Sequence, residues 1–216
     1  MPARERALRD ARRRSLGQNF LRPEVAGRIV AECGFRPGDR VVEIGPGSGA
    51  LTFALARVPV EVTAVELDPV WAERLRDRAR RERANNVRVL RGDFAAVRLP
   101  DAPFRVIGSL PFARTTDFLR KLFDDPTSAL ARADLIVQWE VARKRAAAPP
   151  VTLLSTQWAP WWDFRLGRRI AASEFHPVPR VDAAVLVARR REPALLPPEM
   201  TLAYAEFVRK RWPFRR

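Results

Sequence analysis

The sequence holds one cysteine, Cys33, one histidine, His176, and one tyrosine among its 216 residues. A lone thiol forms no disulfide within the chain and builds no cysteine-rich metal centre. Cys33 reads as a small apolar residue at a helix end. A lone imidazole leaves histidine-based triads and multi-histidine metal sites almost without material. No metal is expected. Lysine is also scarce, with only Lys121, Lys144 and Lys210, so arginine carries nearly all the positive charge. No apolar run is long enough to span a bilayer, and the N-terminus lacks an apolar signal core. No membrane partner is expected, and a reducing cytoplasm is the expected compartment.

Apolar residues make up 47% of the chain, enough for the core of one α/β domain with a small appendage. Forty Lys and Arg against 25 Asp and Glu give a net charge of +15. A compact domain this basic suggests a polyanionic partner, RNA or DNA first; a merely solubilising surface is the alternative.

Residues 1–15 form a basic arm that includes Arg12, Arg13 and Arg14, a block suited to nucleic-acid contact. A helix is expected from Pro23 to Cys33, stopped by Gly34 and Pro37-Gly38. Strands are then expected at Val41–Gly45, Val62–Leu67, Val87–Leu90, Phe104–Leu110 and Leu135–Trp139. Helices are expected between them at Ala50–Arg57, Pro69–Glu82, Thr116–Phe123 and Val151–Trp158. Phe164–Ile170 and Ala183–Arg189 read as two closing strands. This alternation predicts a parallel sheet with helices on both faces over residues 16–190. Residues 191–216 read as a short helical appendage, with a helix over Met200–Arg211. Trp158, Trp161 and Trp162 suit base stacking or core packing, with packing preferred.

Three strand ends carry candidate chemistry. The run Val41-Val42-Glu43-Ile44-Gly45-Pro46-Gly47-Ser48-Gly49 is a strand entering a glycine-rich turn, where backbone approaches a ligand closely. The spacing is GxGxG, not the GxGxxG of dinucleotide sites, and an acid, Glu43, precedes it. Glu66 and Leu67 close the second strand, and a carboxylate there can accept both hydroxyls of a ribose, in NAD or in a methyl donor. Asp93, after the third strand, can accept an adenine amine while Phe94 covers the ring. Three elements in register favour S-adenosylmethionine over NAD.

The fourth strand ends Gly108-Ser109-Leu110-Pro111-Phe112. With Leu16-Gly17-Gln18-Asn19-Phe20-Leu21, Gln138-Trp139-Glu140-Val141-Ala142-Arg143-Lys144 and Phe175-His176-Pro177-Val178-Pro179-Arg180-Val181-Asp182, it resembles the ribosomal RNA adenine-N6 methyltransferases. The resemblance covers roughly residues 15–190. It implies a Rossmann-like class I methyltransferase fold, with a C-terminal appendage shorter than the helical domain usual in the family. It also implies that Asn19, Leu21, Gly45, Gly47, Glu66 and Asp93 hold the donor, with Glu43, Leu67, Phe94 and Ser109 around it. Ser109 and the carbonyl of Leu110 would accept the protons of the target amine, Pro111 would stiffen the turn, and Phe112 and Phe175 would enclose a base flipped out of the RNA. An adenine amine is a poor nucleophile because its lone pair is delocalised; acceptors aimed at its protons favour the pyramidal geometry that attack needs. Ser109 departs from the family's Asn, so slower transfer or a single methylation is expected.

Within the family, Gln138–Lys144 and Ala159-Pro160-Trp161-Trp162-Asp163-Phe164-Arg165 resemble the erythromycin-resistance (Erm) branch. That branch implies methylation of 23S rRNA before full ribosome assembly, by a monomer, with resistance to macrolides, lincosamides and streptogramin B. Arg12, Arg13, Arg14, Arg114, Arg143, Lys144 and Arg145 are the candidate RNA contacts. The alternatives are 16S rRNA dimethylation, DNA adenine methylation, or a non-catalytic nucleic-acid-binding protein on the same fold.

Overall fold

Among the described residues seven strands form one sheet, and the order in which they lie explains where a ligand can enter. A computed structural model describes residues 19–212. Arg12, Arg13 and Arg14 lie outside these described residues. The main-sheet strands are β2 (Arg40–Ile44), β3 (Glu61–Glu66), β4 (Val87–Arg91), β5 (Phe104–Ser109), β6 (Leu130–Gln138), β7 (Trp162–Ile170) and β9 (Ala183–Arg190). They lie in the order β4-β3-β2-β5-β6-β9-β7. Strands β2, β3, β4, β5 and β6 run parallel. The order reverses between β2 and β5, and such a switch point opens a crevice at the carboxyl ends of the strands.

The expected all-parallel sheet needs correction at one edge. Strand β9 pairs antiparallel with both β6 and β7. The result is a mixed sheet with the methyltransferase-like arrangement. The fifth expected strand also begins earlier, at Leu130, and ends at Gln138; Trp139 opens a helix instead of closing the strand. A two-stranded ribbon of β1 (Phe20–Leu21) and β8 (Phe175–His176) was not expected, being too short for any periodic signal.

The helices are α1 (Pro23–Glu32), α2 (Ala50–Leu55), α3 (Pro69–Arg81), α4 (Thr115–Phe123), α5 (Trp139–Arg145), α6 (Leu153–Trp158) and α7 (Thr201–Arg211). Pro23 stands in the first turn of α1, where its missing N–H costs nothing. Asp68 caps α3 by accepting from the Val70 amide at 2.8 Å. Alternate strand residues face opposite layers. Val41, Val62, Ile107 and Ile136 pack with Val25, Ile29 and Leu51 on one side. Val42, Ile44, Val106 and Leu135 pack with Leu119 and Leu122 on the other.

That second layer ends in an aromatic cluster. The Phe123 ring lies 5.5 Å from Trp158, 5.0 Å from Trp162 and 5.1 Å from Phe164, centroid to centroid. Trp158, Trp161 and Trp162 are all buried, so they pack the core and present no stacking surface to RNA. Arg190 closes the cluster: its guanidinium sits 4.6 Å from the Trp162 ring centroid and donates to the carbonyls of Pro126, Ser128 and Leu130. Helix α7 rests on α6, where Gln157 donates to the carbonyl of Ala205 and Trp161 meets Tyr204 edge to face.

Candidate active site

Three main-chain hydrogen bonds tie the parallel strands to one another at their carboxyl ends. Gly45 N–H donates to Val65 at 3.0 Å, Gly92 to Glu66 at 2.9 Å, and Leu110 to Ile136 at 3.0 Å. The loops that follow therefore start from fixed points and converge. They enclose a cavity of about 250 Å³ lined by the β2 turn, Glu66, Asp93 and the Ser109–Arg114 segment. The β1–β8 ribbon closes one wall with Asn19, Phe20, Leu21 and Phe175.

Two glycines make this geometry possible. Gly47 has φ +54°, and a Cβ there would lie 2.8 Å from the Phe20 ring. Gly108 lets β5 approach β2 at the switch point, since a Cβ would lie 2.6 Å from the Ile44 carbonyl oxygen.

The three acids differ sharply. Glu43 is 1% exposed, and neither carboxylate oxygen has a hydrogen-bond partner. Burial pushes its pKa up to about 8; Glu66 adds repulsion, and nearby Thr52 pulls the other way. An unpartnered buried carboxylate that borders a cavity suits a cationic group. Glu66 accepts from Gly47 N–H at 2.9 Å and Asp68 N–H at 2.8 Å. Burial raises its pKa against those two amides. Each oxygen has one amide donor and keeps capacity for a second. Asp93 is half-buried, and its pKa is lowered by the Ala95 amide first and by Arg114 next.

All the expected pocket residues outside the basic set border this one cavity: Asn19, Leu21, Glu43, Gly45, Gly47, Glu66, Leu67, Asp93, Phe94, Ser109, Leu110, Pro111, Phe112 and Phe175. They differ in how they meet it. Leu67 is 47% exposed at the rim. Phe175 and Phe94 are buried and form wall. Ser109 is half-buried, and Phe112 opens a 3-10 turn, Phe112–Arg114, whose Arg114 amide donates to Pro111. Glycines, an unpartnered acid and acids with spare acceptor capacity, all around one cavity, fit a nucleoside that also carries a cationic tail.

Two of the basic residues expected at RNA are engaged inside the protein. Arg114 directs Nη1 at Asp93, 3.0 Å from Oδ2 and 3.2 Å from Oδ1. Arg145 is half-buried, donates to Thr152 Oγ1 at 2.7 Å and lies 5.5 Å from the Trp158 ring centroid. The end of α5 turns it towards α6. Arg143 is exposed and paired with Glu140 at 2.8 Å, and Lys144 is exposed. Sequence reasoning missed Phe20, which packs on Gly47 and meets Trp71 edge to face at 4.9 Å. Its place beside Asn19 and Leu21 was the only signal.

A family model described as ribosomal RNA adenine dimethylase matches residues 9–215. The chain belongs to that family. Among its relatives, an rRNA adenine N-6-methyltransferase of Corynebacterium diphtheriae is 38% identical over 89% of this chain and 74% of its own length. The mycinamicin-resistance protein MyrB of Micromonospora griseorubida is 39% identical over 92% of this chain and 62% of its own length. The chain thus spans under two thirds of some of the dimethylase relatives it matches. The crystal structure of the 23S rRNA methyltransferase ErmE superposes with a TM-score of 0.79 at 32% identity, covering 88% of this chain and 78% of that one. As a member of the dimethylase family, the chain has the fold of S-adenosylmethionine-dependent methyltransferases. No described helix is long and apolar enough to cross a membrane.

Proposed function

We propose that this protein transfers a methyl group from S-adenosylmethionine to the N6 amine of an adenosine in 23S rRNA and so confers macrolide, lincosamide and streptogramin B resistance. One observation carries the reading. Three strand-end acids and the Ser109-Leu110-Pro111-Phe112 turn border a single cavity, in a chain whose relatives include rRNA adenine N-6-methyltransferases.

The donor supplies an electrophilic methyl on a sulfonium. Glu43 pairs with its ammonium, and Asn19 and Leu21 border its methionine portion. Gly45 and Gly47 let the backbone lie against it. Glu66 accepts from its ribose hydroxyls and Asp93 from its adenine amine, with Leu67 and Phe94 against the ring. The Ser109 hydroxyl and the Leu110 carbonyl accept from the target amine and orient its lone pair. Leu110 is buried, with its N–H committed to Ile136, which fixes the direction of the peptide that follows. Pro111 holds that turn, Phe112 stacks on the target base and Phe175 backs it. Arg143, Lys144 and the arm residues Arg12, Arg13 and Arg14 meet phosphates. The protein acts as a monomer, in the cytoplasm, on RNA not yet fully assembled into ribosomes.

The test is expression in a macrolide-sensitive bacterium, followed by macrolide challenge and mass analysis of nuclease fragments of the rRNA, which detects one methyl or two. Resistance with a methylated adenosine in 23S RNA is expected. Methylation confined to 16S RNA, or none in either RNA with the protein present, overturns the proposal.

A further inference from the structure

The geometry points to Arg114 as a positioning residue that pins the Asp93 carboxylate across the site and thereby sets the protein's preference for an adenine-bearing donor. This rests on the reading of Asp93 given above. Asp93 sits in the loop after β4, whereas Arg114 ends the 3-10 turn that follows the Ser109–Phe112 segment after β5. One guanidinium nitrogen reaches both carboxylate oxygens, at 3.0 and 3.2 Å. The Ala95 amide adds a second donor to Oδ1 at 2.9 Å. Oδ1 therefore has two protein donors and Oδ2 one, which leaves Oδ2 the better placed to take a third-party N–H.

Arg114 is itself held. Its guanidinium lies 4.9 Å from the Phe118 ring centroid, and Phe118 meets Phe94 edge to face at 5.4 Å. Asp93, Phe94, Arg114 and Phe118 all line the cavity. A carboxylate clamped from two directions cannot swing to follow a different hydrogen-bond pattern. Adenine offers an exocyclic amine where hypoxanthine offers a carbonyl oxygen and a ring N–H one atom away. A fixed acceptor favours the first and repels the second; a free one reaches the ring N–H and tolerates both.

The experiment is titration calorimetry of the full chain with S-adenosylhomocysteine and its hypoxanthine counterpart, S-inosylhomocysteine. The wild-type protein is expected to prefer the adenine compound by about tenfold or more. Arg114→Gln is expected to narrow that ratio to about threefold or less, chiefly by weakening the adenine compound. Asp93→Asn loses the preference, and adding Arg114→Gln to it changes the ratio no further. A ratio unchanged in Arg114→Gln overturns the proposal, as does an additive loss in the double variant. A reduced salt slope of RNA binding with the purine preference intact would place Arg114 on phosphate and overturns it too. Failure of the wild-type protein to bind either compound would instead defeat the reading of the cavity as a donor site.

Discussion

Glu43 offers the most direct test of the donor site, because its carboxyl is buried beside the cavity with no charged group of opposite sign among the described residues to pair with it. Its pKa lies near 8 in the folded protein, with burial the dominant cause. At pH 7 the protonated form is therefore favoured. In the unfolded chain the same group ionises at its ordinary value of 4.5. Below pH 4.5 both states are protonated and the group has no effect. As pH rises from there to 8 the unfolded state alone loses the proton, so stability falls. The loss amounts to about 3 kcal/mol at pH 7. Glu43→Gln removes the ionisable group with little change of shape, so its melting temperature should decline less between pH 5 and 8. When a cationic ammonium enters, the carboxylate becomes the favoured form and the proton leaves. Calorimetry of S-adenosylmethionine binding at pH 7, in buffers of different ionisation enthalpy, should then show net proton release that is absent in Glu43→Gln. Affinity should also rise with pH up to about 8 in the wild-type protein, by as much as about tenfold per pH unit. Glu66 is raised too, so the Gln variant is the deciding control. Equal proton release in both proteins would refute the argument.

Other consequences follow from named contacts. Gly47→Ala places a methyl against Phe20 at a positive φ; a stability loss of about 1–2 kcal/mol in urea titrations and weaker donor binding are expected. Ser109→Asn gives the target amine a longer acceptor, so mass analysis of modified RNA should show faster transfer or more dimethyladenosine; full dimethylation already in the wild-type protein, at a rate the variant leaves unchanged, would show that the hydroxyl limits nothing. Trp162→Ala empties the ring site beneath Arg190 and beside Phe123, costing about 3–5 kcal/mol by denaturant melting. Lys144→Gln should weaken RNA binding across sequences and reduce its salt slope by about one unit, leaving donor affinity unchanged.

Much of the site was legible because a parallel sheet converts sequence order into place. Each strand runs to the same edge, so an acid or glycine just after an apolar run arrives at the crevice whatever its neighbours do. Glu43, Glu66 and Asp93 were found that way, and Ser109 through the family resemblance of the segment around it. Strand direction was not legible at the far edge. Ala183–Arg190 is apolar enough for a buried strand, and apolar runs look alike in parallel and antiparallel settings. The helix at Trp139 was hidden because Leu135, Ile136 and Val137 continue into Trp139 without a break, and Gln138 caps the turn with no side-chain hydrogen bond.

The basic residues show where sequence reading stops. Arg143, Lys144 and Arg145 look equivalent as a run, yet a helix rotates about 100° per residue and sends one of the three inward. Thr152 and Trp158 receive Arg145, whereas Arg143 and Lys144 remain outside. Arg114 is harder still: it lies 21 residues from Asp93, and only the adjacency of two crevice loops joins them. A charge count assigns every arginine to the polyanion. The fold spends some of them on its own carboxylates, carbonyls and rings, so +15 overstates the surface offered to RNA. The salt dependence of RNA binding should accordingly report fewer phosphate contacts than the arginine content suggests.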